Sequence, residues 1–269
     1  MNSQELIASI HNGLAAGYKQ NLLFLSSYEN FIGDMREYLL TVNVAQSLLE
    51  WNSNHQYKIR LEYPYRTFCL DAFPAVEHKT PDIFTTITSY RNPQELITTK
   101  HSQKIDIAIV AEQDANLFSQ ERPKVGIELK AINKSQKSIR SDARRLAEAM
   151  NYNDLISDNS IQFSYCGFLM QLARPSEMAT AQLNVQRMEL TQRRWDDVCA
   201  DFALKFPKLQ FKVDFQTIID DPLETVHTEN SDPEISYEEV AVRTGALVSG
   251  VLEISRVKST SAVPALSTE

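Results

Sequence analysis

Two acidic residues lie inside apolar runs of the chain: Asp106 in Lys-Ile-Asp-Ile-Ala-Ile-Val and Glu128 in Gly-Ile-Glu-Leu-Lys-Ala-Ile. A carboxylate on a mostly apolar strand is costly to bury alone, so each must be exposed, paired or bound to a metal ion. Glu128 and Lys130 stand two residues apart, and the alternation of a strand sends both to one face. Asp106 precedes Glu128 by 22 residues, ample chain for a hairpin that sets the two strands side by side. An Asp, a Glu and a Lys then meet in one small region. That trio suits phosphodiester hydrolysis. The carboxylates offer hard oxygen ligands to Mg²⁺, which neutralises phosphate charge and lowers the pKa of a bound water. The Lys130 ammonium orients that water or stabilises charge on the pentacovalent phosphorus.

The elements that must position these residues follow from periodicity. Residues 4–26 and 28–51 read as helices, the second with Phe31, Met35, Tyr38, Leu39, Val42, Ala45 and Leu49 as an apolar stripe. Tyr57 to Tyr63 alternates as a half-buried strand, limited by Pro64. Residues 66–100, with Pro74, Pro81 and Pro93, read as an insertion. Lys104 to Val110 is fit for an interior strand, and a polar loop with Asp114, Asn116 and Pro123 follows. Val125 to Ile132 is a second alternating strand. Ser138 to Ile156 reads as a helix with Ile139, Ala143, Leu146 and Ala149 or Met150 on one side. Tyr165 to Leu172 is a third apolar strand, residues 176–205 a helix, and Leu209 to Ile219 an outer strand. This order favours a sheet sandwiched between helices.

Asp106, then Glu128-Leu129-Lys130, on successive strands followed by a helix and a further strand, resembles the PD-(D/E)XK nuclease superfamily. The resemblance runs from the helix at 28–51 to the strand ending at Leu172, about half the chain; Ile105 stands where the name-giving Pro would be. It implies an α/β, three-layer restriction-endonuclease-like core, a central mixed sheet flanked by helices. One such domain is expected over 1–220, with the insertion at about 66–100. The implied activity is a metal-dependent deoxyribonuclease using Mg²⁺, with Mn²⁺ able to substitute. Asp106 and Glu128 are the implied metal ligands and Lys130 the charge-stabilising group. The family often adds an acidic residue from the first core helix; Glu37 is the first choice and Asp34, one turn earlier, competes with it. The helix after Lys130 would flank the substrate groove, its Lys134, Lys137, Arg140, Arg144 and Arg145 holding phosphates without reading bases. DNA is the expected partner, with RNA left open. Cutting both strands calls for a homodimer, and defence against foreign DNA is the expected setting. Two other readings stand beside this one: an inactive nuclease-fold module that binds nucleic acid or a protein, and strand carboxylates that are structural, with Lys130 paired to Glu128.

Composition bounds the alternatives. The chain has 269 residues, 43% hydrophobic and 23% charged, enough for a sizeable core. Its net charge of -8 is unevenly distributed. Nine acidic residues and no Lys or Arg lie between Asp214 and Glu239, whereas Arg122 to Arg145 holds eight Lys and Arg residues against Glu128 and Asp142. Such asymmetry concerns partners, not fold. No apolar run is long enough for a membrane helix, and no cationic start with an apolar run marks a secretory leader, so the cytoplasm is expected. Cys69, Cys166 and Cys199 are too far apart for a disulfide frame and read as small buried hydrophobes. The five histidines show no metal spacing and are expected at the surface or in loops. No Gly-rich phosphate loop or Gly-x-Ser-x-Gly turn occurs. Residues 221–269, acidic and then Ser/Thr-rich, read as a flexible tail.

Overall fold

The long hairpin that carries the two strand carboxylates is the centre of the architecture. A computed structural model describes residues 1–25, 37–72, 103–116, 119–132, 134–152, 161–172, 181–219, 223–229, 237–243 and 246–257. Along the chain these form α1 (Ser3–Leu25), α2 (Glu37–Trp51), β1 (Tyr57–Pro64), α3 (Tyr65–Asp71), β2 (Lys104–Asn116), β3 (Ser119–Lys130), α4 (Gln136–Tyr152), β4 (Phe163–Gln171), α5 (Ala181–Lys205), β5 (Leu209–Ile219), β6 (Leu223–Glu229), β7 (Tyr237–Arg243) and β8 (Leu247–Arg256). Asp34, residues 73–100 of the expected insertion and the terminal residues 258–269 lie outside the described residues.

Six strands form a mixed sheet in the order β1-β2-β3-β4-β8-β5. β1, β2 and β3 are an antiparallel meander, and β4 lies parallel to β3. The β3–β4 pair needs a crossover, which α4 supplies. β8 then runs antiparallel between β4 and β5. Helices α1 and α2 cover one face with Leu6, Ile10, Leu14, Leu40, Val44 and Leu48. Helices α3, α4 and α5 cover the other with Phe68, Ile139, Leu146, Met150, Trp195 and Phe202. The molecule is therefore α/β, a six-stranded mixed sheet between helical layers. A separate hairpin joins β6 and β7.

Three expectations change. The polar stretch with Asp114, Asn116 and Pro123, read as a loop, belongs instead to extended strands paired from Ile107↔Ile127 out to Asn116↔Ser119. Pro123 is accommodated because the register shifts between Ile109 and Val110, where its missing N–H breaks no regular ladder. The second change is in α2. Tyr38 and Leu49, placed on its apolar stripe, are 64% and 54% exposed, and the buried face is Leu40, Thr41, Val44, Ala45 and Leu48. The two candidate stripes share Ala45, and α1 chooses between them through close approach. A Cβ built on Gly13 would lie 2.4 Å from Val44 Cα, so the α1 backbone seats directly against the Val44 side of α2.

The third change concerns the C-terminal segment. The stretch read as a flexible tail contains β8, buried along most of its length between two partner strands. Its apolar run Leu247-Val-Ser-Gly-Val-Leu is short and follows the acidic stretch, so composition averaged over 221–269 conceals it. The cysteines are free and buried, as expected. Among the described residues no helix is long and apolar enough to cross a membrane.

Candidate active site

The register of the hairpin brings the carboxylates together. Ile107 pairs with Ile127 and Ala108 with Gly126, so one further step sets Asp106 opposite Glu128. On β3, Val125, Ile127 and Leu129 face the α1–α2 layer. Alternation turns Gly126, Glu128 and Lys130 toward the other side, and a Cβ on Gly126 would meet Phe68 of α3 and Leu146 of α4. The Leu129 amide donates to Asp106 Oδ2 at 2.7 Å, fixing the Asp106 side chain across the strand pair.

Helix α4 roofs this face. Ser135 caps its start, accepting the Ser138 amide on both its carbonyl and its hydroxyl oxygen. Ile139, Ala143, Leu146 and Met150 are buried beneath it, the face that the 3.6-residue period indicated. Seating these four turns Asp142 and Arg145 toward the strands. The Arg145 guanidinium donates through Nη2 to Glu128 Oε1, and the same nitrogen lies 3.3 Å from Asp142 Oδ1. Lys130 Nζ lies 3.0 Å from Asp142 Oδ2 and 3.8 Å from Glu37 Oε2. Glu37, the first residue of α2, is also 4.0 Å from Lys134 Nζ. Lys130 is thus paired with Asp142 and Glu37, where sequence reasoning had weighed Glu128 as its partner.

Desolvation dominates the electrostatics. Burial pushes the Glu128 carboxyl up to about 8, and Asp106 adds to this; Arg145 pulls it down without overcoming burial. Burial also raises Asp106, opposed by the Leu129 amide and Lys130 and reinforced by Glu62 and Glu37. Asp106 therefore adds to the cost of charging Glu128. Burial alone would lower Lys130, but Asp142, Glu37 and Asp106 together raise it above the ordinary lysine value. The amine stays an ammonium, suited to stabilising negative charge and unsuited to accepting a proton.

Sequence reasoning missed Glu62. It sits on β1 between Leu61, paired with Ile107, and Tyr63, paired with Ile105, which places it at the register position of Asp106. Its φ of 52° is in the left-handed region, which costs a non-glycine residue on the order of 1 kcal/mol. Lys104 Nζ holds its carboxylate at 3.4 Å. Alternation within Tyr57–Pro64 was the available signal, but it could not disclose which strand lies beside Asp106.

The five basic residues expected to line a groove have different surroundings. Lys134 and Lys137 are exposed at the start of α4. Arg140 bonds Asp201 of α5 at 3.1 Å and lies over the Phe202 ring. Arg144, 67% exposed, bonds Glu148 one turn along at 2.8 Å. Exposed pairs of this kind are weak. Arg145 alone turns inward. Tyr65 is buried; its hydroxyl donates to the Arg145 carbonyl at 2.9 Å and its ring lies 5.9 Å from the guanidinium carbon.

One histidine also departs from expectation. His11 is 3% exposed, with Nδ1 2.7 Å from Ser249 Oγ and Nε2 3.1 Å from Asp214 Oδ2. Burial lowers its pKa against the pull of Asp214. In the neutral ring Nε2–H donates to Asp214, and Nδ1 shares the single Ser249 hydroxyl proton with the Gln216 carbonyl, 3.2 Å from Ser249 Oγ. Its place at four- and three-residue steps with Ile7, Leu14 and Tyr18 was the signal that it shares the inward side of α1. His55 is exposed, and the side chains of His78, His101 and His227 lie outside the described residues.

The two carboxylates fit a hard divalent ion by donor chemistry. Among the described residues no group of three or more His, Cys, Asp or Glu side chains forms a ready cage. Mg²⁺ does not need one, because it binds through one or two carboxylates and keeps several waters. Asp106 and Glu128 supply that pair, and their mutual repulsion is what a cation between them relieves. Comparison of the chain with protein-family models, with curated proteins and with solved structures finds no match.

Proposed function

We propose that this protein is a metal-dependent nuclease of the PD-(D/E)XK kind, hydrolysing phosphodiester bonds of DNA. The observation that carries the reading is the convergence of Asp106, Glu128 and Lys130 on one face, at the same end of β2 and β3, with Glu37 reaching in from α2. The order α2-β1-β2-β3-α4-β4, with a meander followed by a parallel crossover, supports a restriction-endonuclease-like core. When bound, Mg²⁺ supplies charge neutralisation at the phosphate and a more acidic attacking water. Asp106 and Glu128 hold the ion. Lys130, kept cationic by Asp142 and Glu37, faces the phosphate and stabilises the charge that develops there. Lys134, Lys137, Arg140 and Arg144 hold the flanking backbone, Arg140 and Arg144 by exchanging weak surface partners for phosphate oxygens.

The test is cleavage of plasmid, linear and single-stranded DNA, and of RNA, by the full chain in Mg²⁺ and Mn²⁺. Asp106→Asn, Glu128→Gln and Lys130→Gln each lower the rate at least about a hundredfold while the thermal midpoint shows the fold intact. A wild-type chain that nicks none of these substrates sinks the proposal.

A second reading has its own observation. Glu128 is paired with Arg145 and Lys130 with Asp142, so the trio is answered within the protein. On this reading the fold is an inactive module that binds nucleic acid or a protein partner. Metal binding separates the two, because an inactive module has no use for a divalent ion at Asp106.

A further inference from the structure

We infer that Arg145 is a built-in counter-cation which competes with the divalent ion for Glu128, so that metal loading and release of this guanidinium are coupled. The inference rests on the metal-site reading given above and adds its regulation.

The grip of Arg145 on Glu128 is incomplete. Both side chains are inside the protein, 13% and 3% exposed. An arginine that serves as a permanent partner for a buried carboxylate uses its planar fork, two nitrogens on two oxygens. Here one nitrogen, Nη2, is shared between Glu128 and Asp142. The buried Nε has no hydrogen-bond partner. An unanswered buried donor is costly.

The surroundings offer a second position. Asp142 Oδ1 is already 3.3 Å from Nη2, so a guanidinium leaving Glu128 has an anion waiting one turn back on its own helix. The backbone does not have to follow, because Tyr65 holds the Arg145 carbonyl and α4 is anchored by Ile139, Ala143, Leu146 and Met150. Motion is confined to the side chain. Charge gives the direction. The inner cluster holds three carboxylates, Asp106, Glu128 and Asp142, against two cations, Lys130 and Arg145. Asp106 and Glu128 would hold a divalent ion, whose charge would compete with Nη2 for the Glu128 carboxylate and favour the Arg145 guanidinium beside Asp142. Without the ion, Arg145 closes onto Glu128 and keeps the carboxylate from lying unpaired in the interior.

The experiment is calorimetric titration of the full chain with Mn²⁺ alone, in the absence of nucleic acid, for wild type, Arg145→Gln and Asp106→Ala. Arg145→Gln binds Mn²⁺ about tenfold more tightly than wild type, a typical size for coupled sites. Its thermal midpoint, lowered without metal, recovers in saturating Mn²⁺. Asp106→Ala loses binding. Wild type that binds at Asp106 while Arg145→Gln binds no more tightly overturns the competition and leaves the metal site standing. Failure of both wild type and Arg145→Gln to bind overturns the metal site and the competition with it. A measurement on wild type guards against a variant that does not fold. In protein labelled with ¹⁵N-arginine, the Arg145 Nε–H resonance, identified by its loss in Arg145→Lys, shifts when Mg²⁺ is added; an unmoved resonance overturns the inference.

Discussion

Two buried polar clusters lie on opposite faces of the same sheet, and they differ in how completely their groups are answered. Around His11, on the α1 side, each ring nitrogen has one partner and Asp214 is half exposed, so water shares its charge. Around Glu128, on the α4 side, burial and the nearby Asp106 raise the Glu128 pKa, one guanidinium nitrogen serves two acids, and an arginine Nε has no acceptor. Both clusters tie distant elements together. Only the second leaves a buried donor unanswered beside a desolvated carboxyl, and strongly perturbed groups of that kind are candidates for a functional site. Burial of charge is not by itself a sign of function. Incomplete pairing is the informative part.

The largest effect that can break this contrast is removal of Arg145. Arg145→Ala, in metal-free protein at pH 9, lowers the urea-derived unfolding free energy by about 3–5 kcal/mol, because an uncompensated carboxylate is left buried. Adding Glu128→Gln recovers most of the loss. A single variant within about 1 kcal/mol of wild type shows that the cluster does not depend on its guanidinium. Removal of a partner on the other face is milder: Ser249→Ala strips His11 Nδ1 of its contact and costs about 1–3 kcal/mol. Asp214→Asn, at a half-exposed site, costs less than about 1 kcal/mol in the same assay.

The pH dependence sharpens the comparison because the clusters act with opposite sign. The folded protein raises Glu128 to about 8 and raises Asp106 as well, so it binds these protons more tightly than the unfolded chain does. That contribution is fully present below the ordinary carboxyl range and is lost as pH rises toward about 8. The fold lowers His11, whose contribution is present above its ordinary value of 6.5 and lost as pH falls through the folded value. Thermal midpoints of metal-free protein between pH 5 and 9 therefore flatten on the alkaline side in Glu128→Gln and on the acid side in His11→Asn. A Glu128→Gln profile parallel to wild type means that Glu128 does not titrate with the fold.

The smallest effect belongs to the strained edge of the site. Glu62→Gly relieves a left-handed φ and removes a charge that raises Asp106, while adding freedom to the unfolded chain. The net is a gain of about 0.5 kcal/mol in metal-free stability, read from the urea midpoint. A loss of stability would show that the Glu62–Lys104 pair outweighs the strain.

Alternation and apolar runs were enough to locate the inner halves of β2 and β3, together with β4 and α4, and to put Glu128 and Lys130 on one face, because those periods are written within a few neighbouring residues. The apolar side of α4 was legible for the same reason. The choice of buried face in α2 depended on the fit of Gly13 against Val44, which belongs to a pair of helices rather than to either alone. β8 found its place between β4 and β5 by pairing with two strands remote in the chain, and His11 met Ser249 across 238 residues. Asp142 and Arg145 fell beside Lys130 and Glu128 because a crossover helix had to seat Ile139, Ala143, Leu146 and Met150 on the sheet. Local pattern specifies which groups a strand or helix can present. Which of them meet, and which are left short of a partner, is fixed by packing between elements that no short window of residues contains.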